Sequence, residues 1–140
     1  MRNMANYYAT ARTSYTKVKD PDEFVSWAET IPDVEIVTKE SDEDGTLYGL
    51  LFGLDSDCGS VPCWRQVEEE DYDLDVYKEI QEHIADGWSI TIMEAGAEKY
   101  RYVIGHAAVV TSKEIEHIDL ASWADEIMNG VDVKGTDCEY

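Results

Sequence analysis

The chain predicts an α+β domain: one mostly antiparallel sheet of about five strands with three helices packed on it. Three observations lead there. Strand-like segments come in adjacent pairs separated by turn residues. Three other segments begin at a capping residue and carry apolar side chains at helical spacing. Their order, β-α-β-β-(β)-α-β-β-α, places helices between hairpins, which favours antiparallel pairing with the helices on one face. A length of 140 residues predicts one domain. Its bounds are 1–130, with 131–140 as a frayed acidic tail.

Residues 6–19 (NYYATARTSYTKVK) lack Gly and Pro and are rich in Tyr and Thr, so they predict a long strand. Asp20 then caps a helix over 20–33, with Pro21 at its first position and Phe24, Trp27, Ala28 and Ile31 on one face. Residues 34–40 and 46–53 predict a hairpin around SDEDG, where Gly45 supplies a positive φ. The Asp, Ser, Gly and Pro of 54–63 predict a loop, and WRQVEE a short edge strand.

A second helix is expected from about Asp73 to Ala85, with Val76, Tyr77, Ile80 and Ile84 inward and Gly87 beyond its end. Residues 88–94 alternate Trp88, Ile90 and Ile92 on one side. AGAEK predicts a turn and 100–112 the returning strand. Asp119 caps the last helix, 119–130, with Leu120, Trp123, Ala124 and Ile127 inward. FVSWAETI and LASWADEI share Ser, Trp, Ala and Ile in register; amphipathic patterning alone generates such a match, and an internal duplication is the alternative.

Charge is the strongest signal. The net charge is −20, yet residues 1–19 hold Arg2, Arg12, Lys17 and Lys19 and no acid. Residues 20–140 carry 31 acids against 7 bases. Such a chain disfavours phosphate backbones and anionic membranes as ligands and favours a basic protein surface. There is no apolar run of membrane-spanning length, and MRNMANYY lacks a signal-type apolar core. Three cysteines, an odd number, fit a reducing cytoplasm.

The acids concentrate between Glu68 and Gly87. Glu68, Glu69, Glu70, Asp71, Asp73, Asp75, Glu79, Glu82 and Asp86 stand against one base, Lys78. On a continuous helix Asp75, Glu79, Glu82 and Asp86 form a stripe with successive charges about 4.5–6 Å apart along the axis. That charge density is of the same order as a DNA strand, whose phosphates rise about 3.4 Å each. Asp42, Glu43 and Asp44 add a second acidic group at the hairpin tip. These twelve residues are the candidate partner-binding set.

Catalytic patterns are weak. Cys58 and Cys63 have the C-x4-C spacing of a loose zinc half-site, making a structural zinc and a zinc-stabilised adaptor one alternative. A small hydrolase is another, since carboxylates are abundant, but no phosphate-cradling loop occurs. Asp132-Val133-Lys134 has a nuclease-like form but falls in the tail. His106 lies on one face of a strand and reads as a hydrogen-bonded core histidine. The expected protein is not an enzyme.

MANYYATARTSYTKVKD and MEAGAEKYRYVIGHAAVVTSKEI resemble segments of small acidic proteins of bacterial plasmids, conjugative elements and phages. That group includes antirestriction and anti-CRISPR proteins, many of them DNA mimics. The resemblance implies a cytoplasmic inhibitor in a bacterial host, directed at a CRISPR effector nuclease, most simply a type II RNA-guided one. It carries no catalytic residue and no cofactor.

Overall fold

The structure is a computed structural model that describes residues 7–53, 59–98 and 102–135. Eight strands and three helices follow one another as β1 (Tyr7–Thr13), α1 (Pro21–Ala28), β2 (Val34–Ser41), β3 (Gly45–Phe52), β4 (Trp64–Val67), β5 (Glu70–Asp73), α2 (Val76–Gln81), β6 (Ser89–Glu98), β7 (Tyr102–Thr111), β8 (Ile115–Asp119) and α3 (Leu120–Gly130). Six strands form an antiparallel sheet in the order β2-β3-β1-β6-β7-β8, and β4 and β5 form a separate hairpin. The class is α+β as expected, with one more strand in the main sheet.

One face of the sheet carries the core. Ala11, Leu50, Phe52, Ile90, Ile92, Ala108 and Val110 point inward from it and are buried. Phe24, Ala28 and Ile31 from the α1 region cover one half, and Leu74, Val76, Ile80 and Ile84 from the α2 region cover the other. Asp20 caps α1 as expected, its carboxylate accepting from Asp22 N and Glu23 N at 3.0 and 3.3 Å. Gly45 takes φ +79 in the β2–β3 turn, a conformation that favours glycine.

Four elements depart from expectation. The long first strand ends at Thr13; its continuation bridges from Thr16 to Tyr48 of the sheet and from Val18 to Ile84 of the segment after the second helix. The second helix spans 76–81 rather than 73–85. Its C-terminal half is claimed by backbone bonds to that same segment, Lys19 N to His83 O at 2.9 Å and Ala85 N to Lys17 O at 3.0 Å. AGAE belongs to β6, because Gly96 pairs with Ala9 on one side and Ile104 on the other. Ile115–Asp119 is an edge strand, and bonding on one side only tolerates its polar composition.

The third helix also corrects the expectation that all helices share one face. Asp119 caps it, accepting from Ala121 N and Ser122 N. However, α3 touches only β7 and β8 among the described elements. Its Leu120 lies over Gly105, which alternates away from the core-facing Ala108 and Val110. Leu120, Trp123 and Ile127 are 54, 50 and 52% exposed rather than buried. The inner face is already filled by α1 and α2, and α3 leaves directly from the edge strand. Residues 131–135 close this helix: Asp132 takes φ 55, and Val133 N donates to Met128 O at 3.0 Å.

Candidate functional site

The acid run of 68–73 builds a hairpin, not the lead-in to a helix. Trp64, Arg65, Gln66 and Val67 of β4 pair with Asp73, Tyr72, Asp71 and Glu70 of β5. Glu68 and Glu69 make the two-residue turn, with φ 51 and 69. A two-residue turn of this kind requires positive φ at both central positions and is normally Asn-Gly or Asp-Gly. Two glutamates there cost roughly 1–2 kcal/mol each in backbone strain. Glu68, Glu69, Glu70, Asp71 and Asp73 are all exposed.

The hairpin is tied to the body on its other side. Leu74 is buried, and its N–H donates to Cys63 O at 3.0 Å, closing the strand ends. Arg65 donates to Thr30 Oγ1 at 2.9 Å and forms an ion pair with Glu79. Trp27 Nε1–H donates to the same Glu79 oxygen at 2.8 Å. Burial raises the Glu79 carboxyl, but its hydrogen bonds from Arg65 and Trp27 outweigh this and hold it below the usual range. Glu79 therefore links the hairpin, α1 and α2 and is not part of an exposed stripe.

The remaining stripe residues separate as well. Asp75 caps α2, accepting from Lys78 N at 3.2 Å. Glu82 ends that helix and Asp86 sits in the following turn, both exposed. Asp42 and Glu43 are exposed in the β2–β3 turn, and Asp44 is half-buried with its N–H on Ser41 Oγ at 3.2 Å. That turn joins β2 to β3 at the opposite edge of the sheet from β7 and β8, on which α2 packs. The structure thus assembles one projecting acidic group around the hairpin and leaves 42–44 apart.

At the foot of the hairpin lies an open groove of about 650 Å³. Asp73, Asp75, Glu94, Asp119 and His106 supply its polar lining, and Tyr77 is its aromatic wall. Glu94 and Asp119 flank His106 on neighbouring strands by register. Glu94 Oε1 accepts from Val61 N at 2.7 Å. His117 Nδ1 and His106 Nε2 lie 3.2 Å apart, one donating and the other accepting. Tyr77 meets both rings edge-on, and its hydroxyl is pushed up to about 12 by burial, then by Glu94 and Asp75. Such a lining suits a cationic group. Among the described residues no hydroxyl or thiol is hydrogen-bonded to a histidine.

The sequence missed Glu94, Asp119, His117 and Tyr77 as neighbours, because antiparallel register alone brings them together. It also missed Arg65, for which a signal existed: it is the one base between Lys39 and Lys78. His106 is half-buried and bonded to His117 rather than enclosed in the core. Cys63 is an exposed free thiol, while Cys58 lies outside the described residues. Among the described residues no group of three or more His, Cys, Asp and Glu is placed to hold a metal ion. Nor is any helix among them long and apolar enough to cross a membrane.

Fold and site together define an acidic α+β domain with a six-stranded antiparallel sheet and a projecting carboxylate-rich hairpin. Neither a family model, nor a curated protein, nor a solved structure matches the chain.

Proposed function

We propose that this chain inhibits a bacterial defence nuclease, as an anti-CRISPR protein against a type II RNA-guided effector. It covers a basic nucleic-acid-binding surface and blocks DNA loading. The observation that supports this most is the hairpin tip. Glu68 and Glu69 occupy positions where the backbone favours Asn-Gly, and Glu70 and Asp71 follow directly. Strain and like-charge crowding at one exposed point are costs that folding alone does not explain. Among the described residues the one ion pair is Arg65 with Glu79, and none of those residues gives the tip carboxylates a basic partner.

The partner's chemistry follows from this. RNA-guided effectors hold nucleic acid in a positively charged channel and read the adjacent motif with arginines. Glu68, Glu69, Glu70, Asp71 and Asp73 enter that channel first, with Asp75 beside them at the start of α2 and Glu82 and Asp86 beyond its far end. The groove behind the tip, lined by Asp73, Asp75, Glu94 and Asp119, receives a basic side chain. Association is electrostatically steered, hence fast and weakened by salt.

A competition experiment tests this. A type II effector is preloaded with the protein, and target DNA binding and cleavage are measured at low and moderate salt. The wild type is expected to block DNA binding, less so as salt rises. Changing Glu68, Glu69, Glu70 and Asp71 together to Lys is expected to abolish the block while leaving the circular dichroism spectrum unchanged. A folded quadruple variant that still blocks removes the hairpin from the mechanism. A wild type that leaves both steps intact removes this effector as the target.

A further inference from the structure

Among the described residues, α3 is the one helix on the face of the sheet opposite the core, and this face differs from the rest of the molecule in charge. The register identifies its side chains. Tyr8, Ala97 and Val103 form one row; Arg12, Met93, Ala107 and Ile118 form another, and Thr91, Val109 and Glu116 a third. The half-buried Leu51 and Val37 continue it across β3 and β2, where Leu47 is already buried. Tyr8 and Met93 are each 59% exposed and Val103 58%, and α3 contributes the half-exposed Leu120, Trp123 and Ile127 at the β7–β8 side.

The charged side chains that the strands place on this face, among the described residues, are Arg12, Lys39, Glu35 and Glu116, two of each sign. In a chain of net charge −20 a balanced, largely apolar face is a marked exclusion of acid. It offers no attraction to a basic partner. Its apolar residues are contiguous across strands rather than scattered, which marks an interaction surface.

We infer that this face binds a second copy of the same chain, face to face about a two-fold axis. Charge balance lets two such faces meet without net repulsion at the contact, and a two-fold interface needs one self-complementary patch. Size also fits. Six strands at about 4.8 Å spacing and five to ten residues at about 3.3 Å give a face of roughly 600–800 Å². A standard interface buries about 800 Å² per partner. The acidic hairpins lie on the core side, with α1 and α2, so the dimer presents two of them outward.

Sedimentation velocity over about 1–200 µM tests this. The wild type is expected to dimerise, more tightly as salt rises, because salt screens repulsion between two bodies of charge −20. This is the opposite salt response to hairpin binding. Met93→Glu, at the centre of the face, is expected to shift the protein to monomer with an unchanged circular dichroism spectrum. Val103→Lys serves as the second variant should Met93→Glu unfold. The hairpin Lys variant is expected to remain dimeric, which keeps this inference separate from the proposed function. A wild type that stays monomeric throughout, or a folded face variant that stays fully dimeric, overturns it.

Discussion

Replacing Glu79 with alanine removes the acceptor shared by Trp27 and Arg65. Both donors are long-range: Trp27 lies on α1 and Arg65 on the hairpin strand β4. The Arg65 and Glu79 side chains are only 17 and 29% exposed, so water replaces the lost acceptor incompletely. Hydrogen bonds to a charged group contribute about 1.5–3 kcal/mol, and leaving a donor unpartnered adds to the loss. Glu79→Ala is therefore expected to cost about 2–3 kcal/mol. A domain of this length loses roughly 3–4 °C of Tm per kcal/mol, so Tm falls by about 6–12 °C. Thermal unfolding by circular dichroism measures this. Glu82→Ala is the control: it removes the same charge from an exposed side chain and is expected to change stability by less than about 0.5 kcal/mol. A double cycle with Arg65→Ala is expected to be less than additive. If Glu79→Ala and Glu82→Ala unfold at the same temperature, Glu79 does not hold the hairpin to the body and belongs with the exposed partner-binding acids.

Acid should destabilise the α1–α2 contact. Burial lowers the His83 pKa, partly offset by Glu82, Glu23 and Glu79. With its folded value below the unfolded 6.5, the unfolded chain takes the proton first, so this contribution is complete above 6.5 and lost as pH falls through the folded value. Glu79 has the same sign below 4.5. The Tm difference between wild type and His83→Asn is expected to narrow from neutral pH to about pH 5; a constant difference refutes the assignment. Glu68→Asn with Glu69→Gly relieves the hairpin turn and is expected to stabilise the protein by about 1–2 kcal/mol while weakening partner binding. Lower stability in that variant contradicts the strained-turn geometry.

Much of the fold was legible locally. Asp20-Pro21 and Asp119 mark helix starts through their capping chemistry, and SDEDG marks a hairpin through the glycine its φ requires. Alternation placed Ile90 and Ile92 in the core and helical spacing placed Phe24, Ala28, Val76 and Ile80 there. These are properties of a residue and its near neighbours. The concentration of acid near residue 70 was equally plain, since composition needs no fold.

What the sequence determined by itself was the α+β class, the helix caps, the core residues and the extreme negative charge. Only the tertiary structure decided where that charge sits. The 73–85 helix was shortened because Lys17–Lys19 compete for its backbone groups, an effect of distant chain that no periodicity encodes. Glu79 left the acid set because Arg65 and Trp27 converge on it. Glu94, His106 and Asp119 share a groove because three strands are in register. The apolar stripe of α3 was read correctly as apolar but wrongly as buried. Spacing tells which side chains share a face, and only the packing of the remaining elements determines whether anything covers it.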